Sequence, residues 1–187
     1  FFFHPHAGIR DSSTSRGLGD VYKRQLNANL KGWVSQEAIE ECFLQLATLN
    51  QVAAETLQAF NVHAATDITG FGLAGHALEI AQGSEVTIEI ETKKLPWLPE
   101  AAAMYERGVT TGTNQANRKL VVDDVEFPAQ QVIQELLVDP QTSGGLLVSV
   151  PAEEAEAALS KLRKAGVPNA CLVGQVIPRG DKGIRFF

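Results

Sequence analysis

The sequence predicts an α+β fold: one domain built on a mixed, mainly antiparallel sheet flanked by helices. Three observations carry that expectation. Helix-period stretches and strand-length apolar runs are interleaved along the chain. They follow no strict strand–helix–strand repeat and no internal period, which makes α+β the safer class. The 187 residues, 44% hydrophobic and 20% charged, suffice for one globular core.

The first 25 residues stand apart. Three phenylalanines, His4-Pro5-His6 and a Ser/Thr/Arg/Gly stretch show no basic segment leading into an apolar one, so no secretory signal is expected. The string GLGDVYKRQ (17–25) looks like the translated adaptor tails of fragmentary shotgun sequences. Residues 1–25 are therefore set outside the fold as a non-native tail, and the domain is expected to span 26–187. His4 and His6 leave with the tail and are not offered as metal ligands.

From Ser35 the period becomes helical. Ile39, Cys42, Phe43, Leu46 and Leu49 share a face, which Ala53, Leu57 and Phe60 continue beyond Asn50. Ser35 has Ala38 where a capping box needs Glu or Gln, though Glu37 puts an acid in the first turn. Residues 62–68 read as an extended segment, 69–72 as a Gly-rich turn, and Leu73, Ala77, Ile80 and Ala81 as a helix ending at Gly83. Val86, Ile88 and Ile90 alternate with Glu85, Thr87, Glu89 and Glu91, a strand with one wet face.

The stretch 95–99, with two prolines, breaks that strand, and 100–107 reads as a short helix ending at Gly108. Residues 110–117 have little hydrophobic period and read as a surface or ligand loop. A helix over 129–137 ends against Asp139-Pro140. A polar turn then leads into a buried strand over 146–150. Residues 152–165 form the best-marked helix, with Glu153, Glu154 and Glu156 early and Lys161, Arg163 and Lys164 late. Strands over 170–177 and 184–187 close the chain around a Pro-Arg-Gly-Asp turn.

Composition narrows the function classes. No apolar run is long enough to cross a bilayer. A net charge of −6 argues against a general nucleic-acid binder. Cys42 and Cys171 match no metal-ligand spacing and no disulfide framework, so a reducing, cytoplasmic setting is expected. Cys42, on the helical apolar face, reads as a small hydrophobe.

Two segments could carry chemistry. In TDITGFGLAGH (66–76) an acid, Asp67, precedes a Gly-rich helix start. Free N–H groups there favour phosphate, and a neighbouring carboxylate suits Mg²⁺. Equally, Asp67 or Thr69 caps the helix and the glycines serve packing, which spacing alone favours. In DPQTSGG (139–145) hydroxyls, an amide and backbone N–H groups suit anion or metal-water contacts, or simply connect helix to strand. No Gly-Lys-Ser/Thr follows, so it is no Walker A loop, and it enters a strand where a Rossmann fingerprint enters a helix. His63 and His76 read as structural histidines, His76 keeping a supporting role open.

The motifs TDITGFGLAGH (66–76), GTNQAN (112–117) and DPQTSGGLL (139–147), in this order and at these separations, closely resemble the carboxy-terminal half of selenophosphate synthetases. The resemblance runs from about Leu26 to the end. The wider superfamily includes aminoimidazole ribonucleotide synthetase, thiamine monophosphate kinase and a hydrogenase maturation factor, each with other versions of the Gly motifs.

The resemblance implies an enzyme making selenophosphate from selenide, ATP and water, releasing AMP and phosphate. It makes Asp67 a Mg²⁺ ligand, with Thr66, Thr69, Gly70 and Gly72 shaping the turn around the metal. Gly112, Thr113 and Asn117 of the second motif, and Gln141, Thr142, Ser143 and Gly144 of the third, would line the nucleotide or selenium pocket.

The same resemblance implies an absent amino-terminal half that supplies a reactive cysteine or selenocysteine, a lysine and further acidic ligands, and that makes the enzyme a homodimer. No catalytic residue is then expected in this chain, and alone it is expected to be inactive. Two other readings stay open: another ATP-using superfamily member, such as the hydrogenase maturation factor, or a stand-alone, non-catalytic binding domain.

Overall fold

The computed structural model describes residues 2–5, 32–108, 112–142 and 144–187. Its strands form two four-stranded sheets. The first contains β1 (Phe2–Pro5), β2 (Ala64–Asp67), β5 (Gly145–Ser149) and β6 (Cys171–Leu172), in the order β2-β5-β1-β6 and antiparallel throughout. The second contains β3 (Val86–Ile90), β4 (Val125–Glu126), β7 (Gly174–Pro178) and β8 (Ile184–Phe186), in the order β4-β8-β3-β7. There β8 runs parallel to both β3 and β4, while β7 is antiparallel to β3. The α+β class and the mainly antiparallel pairing are as expected.

The number of sheets differs from the expectation of one. Residues 170–177 look like a single strand in sequence, yet the chain changes sheets within them, at the fully buried Val173. Just beyond, Gly174 runs so close to the Glu89 carbonyl that a Cβ would overlap it, so only glycine lets β7 begin there.

Helix α3 (Gly72–Gly83) packs against β2, β3 and β8. Ala74, Ala77 and Ala81 are fully buried, and these small side chains let the helix approach closely. Around them gather Ile68, Ile88, Ile90, Leu137, Leu147 and Ile184, each with no exposed surface. Burying one such side chain contributes about 1.5–3 kcal/mol. A second cluster joins Ala53 and Leu57 of α2 (Gln51–Leu57) to Val148 of β5 and to Ala158, Leu159 and Leu162 of α7 (Ala152–Lys164). Strand β5 is thus covered on both faces, as its continuous apolar run implies.

Four local differences have identifiable causes. Phe2–Pro5 lie between β5 and β6, although the sequence set this stretch outside the fold; a four-residue strand held on both sides is decided by its neighbours, not by its own pattern. Residues 112–117, expected as a loop, open helix α5 (Gly112–Val121), because its buried stripe is Asn114, Asn117 and Val121. Its period is written mostly in amides, which a hydrophobic pattern misses.

Helix α3 ends at Gly83 as expected, but the left-handed position lies two residues on, at Glu85 with φ 53°. Thr87, assigned to the wet face of β3, is fully buried, its hydroxyl donating to Lys182 O at 2.6 Å and accepting from Gly180 N at 2.9 Å.

Helix α1 (Gln36–Ala47) is capped by Ser35, whose Oγ accepts from Ala38 N at 3.2 Å. The acid missing from its capping box arrives from elsewhere: Ser35 N donates to Glu100 Oε2 at 3.0 Å, just before α4 (Ala101–Glu106). That backbone hydrogen bond, the largest influence, holds the exposed Glu100 carboxyl below its ordinary range. The buried face of α1 is Ala38, Ile39, Cys42 and Gln45, so Cys42 is core as expected. Phe43 and Leu49, expected on that face, stay 46% and 45% exposed. Among the described residues no helix is long and apolar enough to cross a membrane.

Candidate functional site

The three motifs meet where β2 runs into α3. Ile68, fully buried, anchors the end of β2: its N–H donates to Gly145 O at 2.9 Å, and its carbonyl accepts from Gly144 N at 3.0 Å. Thr69 O accepts from Gln141 N at 2.9 Å and from Gly72 N at 3.0 Å. The first and third motifs are therefore stitched together by backbone hydrogen bonds. The second joins them through Asn117, 3% exposed, whose Nδ2 donates to Gly70 O at 2.8 Å and to Val138 O at 2.9 Å.

Asn117 is itself held by its helix. Asn114, on the same face, donates to Tyr105 Oη at 2.7 Å and to Glu135 O at 3.0 Å. Arg118 forms an ion pair with Glu135 at 2.8 Å and bonds Gln134 Oε1 at 2.8 Å. These contacts fix α5 against α6 (Gln131–Leu137). Both Asn117 amide hydrogens point inward, so Asn117 orients the two loops; its amide nitrogen is not available to a bound nucleotide.

The glycines divide into two kinds. Gly72 has φ 70°, and a Cβ there would lie 2.8 Å from Asp139 O and 2.9 Å from Leu137 O. A Cβ on Gly75 would lie 2.5 Å from that of Phe71, and one on Gly144 would collide with the Ile68 carbonyl. These three serve close backbone packing. At Gly70 and Gly112 a side chain would meet no atom of the described residues within 4 Å, and neither has positive φ.

The start of α3 also departs from the expected open phosphate cradle. Residues 72–75 are buried, and carbonyls from the end of α6 stand against Gly72.

Asp67 is different. It is exposed at the end of β2, and among the described residues no hydrogen bond or ion pair engages its carboxylate. Thr66 turns its hydroxyl to Asp67 O at 3.1 Å. A lone exposed carboxylate fits Mg²⁺, which takes one or two protein carboxylates and completes its shell with water and phosphate. Among the described residues no three metal-ligating side chains cluster, so further ligands would come from outside them. Residues 65 and 67 share a face of β2. On that face lies an open cleft of about 680 Å³ lined by Leu57, Phe60, Val62, His63, Ala65 and Val148.

Thr69 and His76 form a chain that sequence only half anticipated. Thr69 Oγ1 is 3.0 Å from His76 Nε2, and His76 Nδ1 is 2.9 Å from Glu79 Oε2. His76 is 7% exposed and lies beside the Phe71 ring at 5.5 Å. Glu79 was missed, though its i,i+3 spacing from His76 on a helix is a readable signal. Of the other expected residues, Gly112 is exposed at the start of α5, while Thr113 and Thr142 are half-buried. Ser143 lies outside the described residues.

Comparison with known proteins gives this constellation a family. The model of the AIR synthase related protein, C-terminal domain, matches residues 12–186. The chain belongs to that family. Within it, the chain is 41% identical over 188 residues to a selenide, water dikinase 2 of Peptoclostridium acidaminophilum, covering 97% of this chain and 54% of that protein. Identity to the selenide, water dikinase of Clostridioides difficile is 41% over 162 residues, covering 85% of this chain and 47% of that protein. The chain spans about half the length of the curated relatives it matches.

Solved structures agree on the fold of this AIR synthase-related domain. The E. coli hydrogenase maturation protein HypE superposes with TM-score 0.55 at 20% identity, over 91% of this chain and 43% of that one. Thiamine-monophosphate kinase from Stenotrophomonas maltophilia gives 0.56 at 17% identity, over 99% and 48%.

Proposed function

We propose that this chain is the carboxy-terminal half of an ATP-dependent selenide, water dikinase. Its part in that enzyme is to hold Mg²⁺ through Asp67 and to shape one wall of the nucleotide pocket. One observation carries the reading: three motifs distant in sequence are bonded into one unit beside an exposed carboxylate that none of the described residues engages. The 41% identity to named dikinases supports this activity over that of HypE or the thiamine-monophosphate kinase, whose likeness is one of fold.

Asp67 would be a metal ligand, and Mg²⁺, when bound, neutralises charge on ATP phosphates during phosphoryl transfer. Thr66, Thr69 and Gly70 edge the same turn, and the space beside the Gly70 Cα is open to a ligand although its carbonyl is held by Asn117. Gln141 and Thr142 stand on the loop stitched to that turn, and Ser143 of the same motif would join them. Gly72, Gly144 and Asn117 hold the turn in shape. The nucleophile, further acidic ligands and the dimer contacts belong to the other half, so this chain alone turns over no ATP. The working enzyme acts on ATP and selenide as a cytoplasmic homodimer.

The test is Asp67→Asn in a complete enzyme. Mg²⁺-dependent ATP turnover should fall by roughly 100-fold or more, with the melting temperature unchanged. Wild-type turnover by that variant would sink the metal assignment.

A further inference from the structure

The polarity of the Thr69–His76–Glu79 chain follows from which atoms face one another. A carboxylate only accepts hydrogen bonds, so His76 Nδ1, 2.9 Å from Glu79 Oε2, carries a hydrogen. In the neutral ring Nε2 is then an acceptor. Thr69 Oγ1 is 3.0 Å from that nitrogen and supplies the only hydrogen available between them. The ring is 7% exposed beneath Phe71, which leaves little room for water to compete.

We infer that Glu79 and His76 are positioning residues that make Thr69 an acceptor-only group toward the site. With its single hydrogen committed inward, the hydroxyl offers lone pairs to whatever lies outside the turn. Such a group receives a hydrogen bond from water on a divalent cation. It offers nothing to a phosphate oxygen, which needs a donor. Thr69 therefore belongs with Asp67 on the hydrated-cation side of the site. Glu79 orients the imidazole from a distance, as partners of the groups around a metal commonly do. This assignment rests on the proposed Mg²⁺ site, and it has a readout that needs neither metal nor nucleotide.

A two-bond ¹H–¹⁵N spectrum of the full chain at neutral pH should show His76 protonated at Nδ1 and bare at Nε2. A proton on Nε2, or on both nitrogens, overturns the inference, and it does so whether or not Asp67 binds metal. In a complete enzyme, Glu79→Gln at this exposed position frees the tautomer without disturbing the core. The Mg²⁺ concentration for half-maximal activity should then rise about tenfold, with the KM for ATP at saturating Mg²⁺ nearly unchanged. Thr69→Val should produce the same rise, Thr69→Ser should restore the wild-type value, and adding Glu79→Gln to Thr69→Val should change nothing more. A selective loss of ATP affinity, or additive effects of the two substitutions, would refute the acceptor role.

Discussion

At the scale of single residues, glycine is the most informative type here, and its message differs by position. Gly70 and Gly72 stand two apart in one motif, and sequence gives them one role. The structure separates them. Gly72 combines φ 70° with a would-be Cβ 2.8 Å from Asp139 O, while Gly70 has neither constraint. Gly72→Ala should therefore cost roughly 2–5 kcal/mol in urea unfolding, from left-handed strain plus overpacking. Gly70→Ala should leave stability within about 0.5 kcal/mol, so any loss of turnover it causes in a complete enzyme reflects the ligand side of the turn. Equal destabilisation by both would contradict this division. That glycines mattered was legible in the motif. Which glycine packs and which opens was not, because the opposing carbonyls come from residues 137–139.

At the scale of elements, the polar clamps are the least legible feature. Helix α5 was hidden because two of its three buried positions are asparagine. Strands β4 and β8 are joined by another clamp, Asp124. Arg179 Nη2 donates to both its carboxylate oxygens at 2.7 and 2.8 Å, and Gly183 N to Oδ1 at 2.7 Å. Burial pushes the Asp124 carboxyl up, but the hydrogen bonds from Arg179, Gln82 and Gly183 outweigh it and hold it below its ordinary range.

A depressed carboxyl contributes stability that is present above the unfolded value, roughly 3.9, and is lost as pH falls through the lower folded value. Urea unfolding of the wild type at pH 6 and pH 3 should show this loss. Asp124→Asn should be less stable at pH 6 yet lose less on acidification. An identical drop in both proteins would remove Asp124 from the acid response.

At the scale of the whole molecule, two features follow from assembly. Strand β1 pairs with β5 on one side and β6 on the other. Deleting residues 1–25 strips those neighbours of hydrogen-bond partners, each worth about 1–3 kcal/mol when buried and unmet. The thermal midpoint should fall by several degrees; an unchanged midpoint would return Phe2–Pro5 to the tail that the sequence suggests. The second feature is the apolar surface on α1 and its neighbour, where Phe43, Leu44, Leu49 and Val52 are 45–65% exposed. Sequence placed Phe43 and Leu49 in a core because helical period reports that a face is apolar, and the rest of the fold settles what covers it.

The sequence by itself determined the α+β class, the order of most elements and the motif set, because local period, turn chemistry and motif spacing are written in neighbouring residues; Asp67 became a candidate ligand through the resemblance those motifs carry. Tertiary structure decided the division into two sheets, the place of β1, and the contacts that bind three motifs into one site. Those depend on carbonyls and amides dozens of residues apart. Asn117 spans 47 residues to reach Gly70, and no local pattern encodes the distance between them.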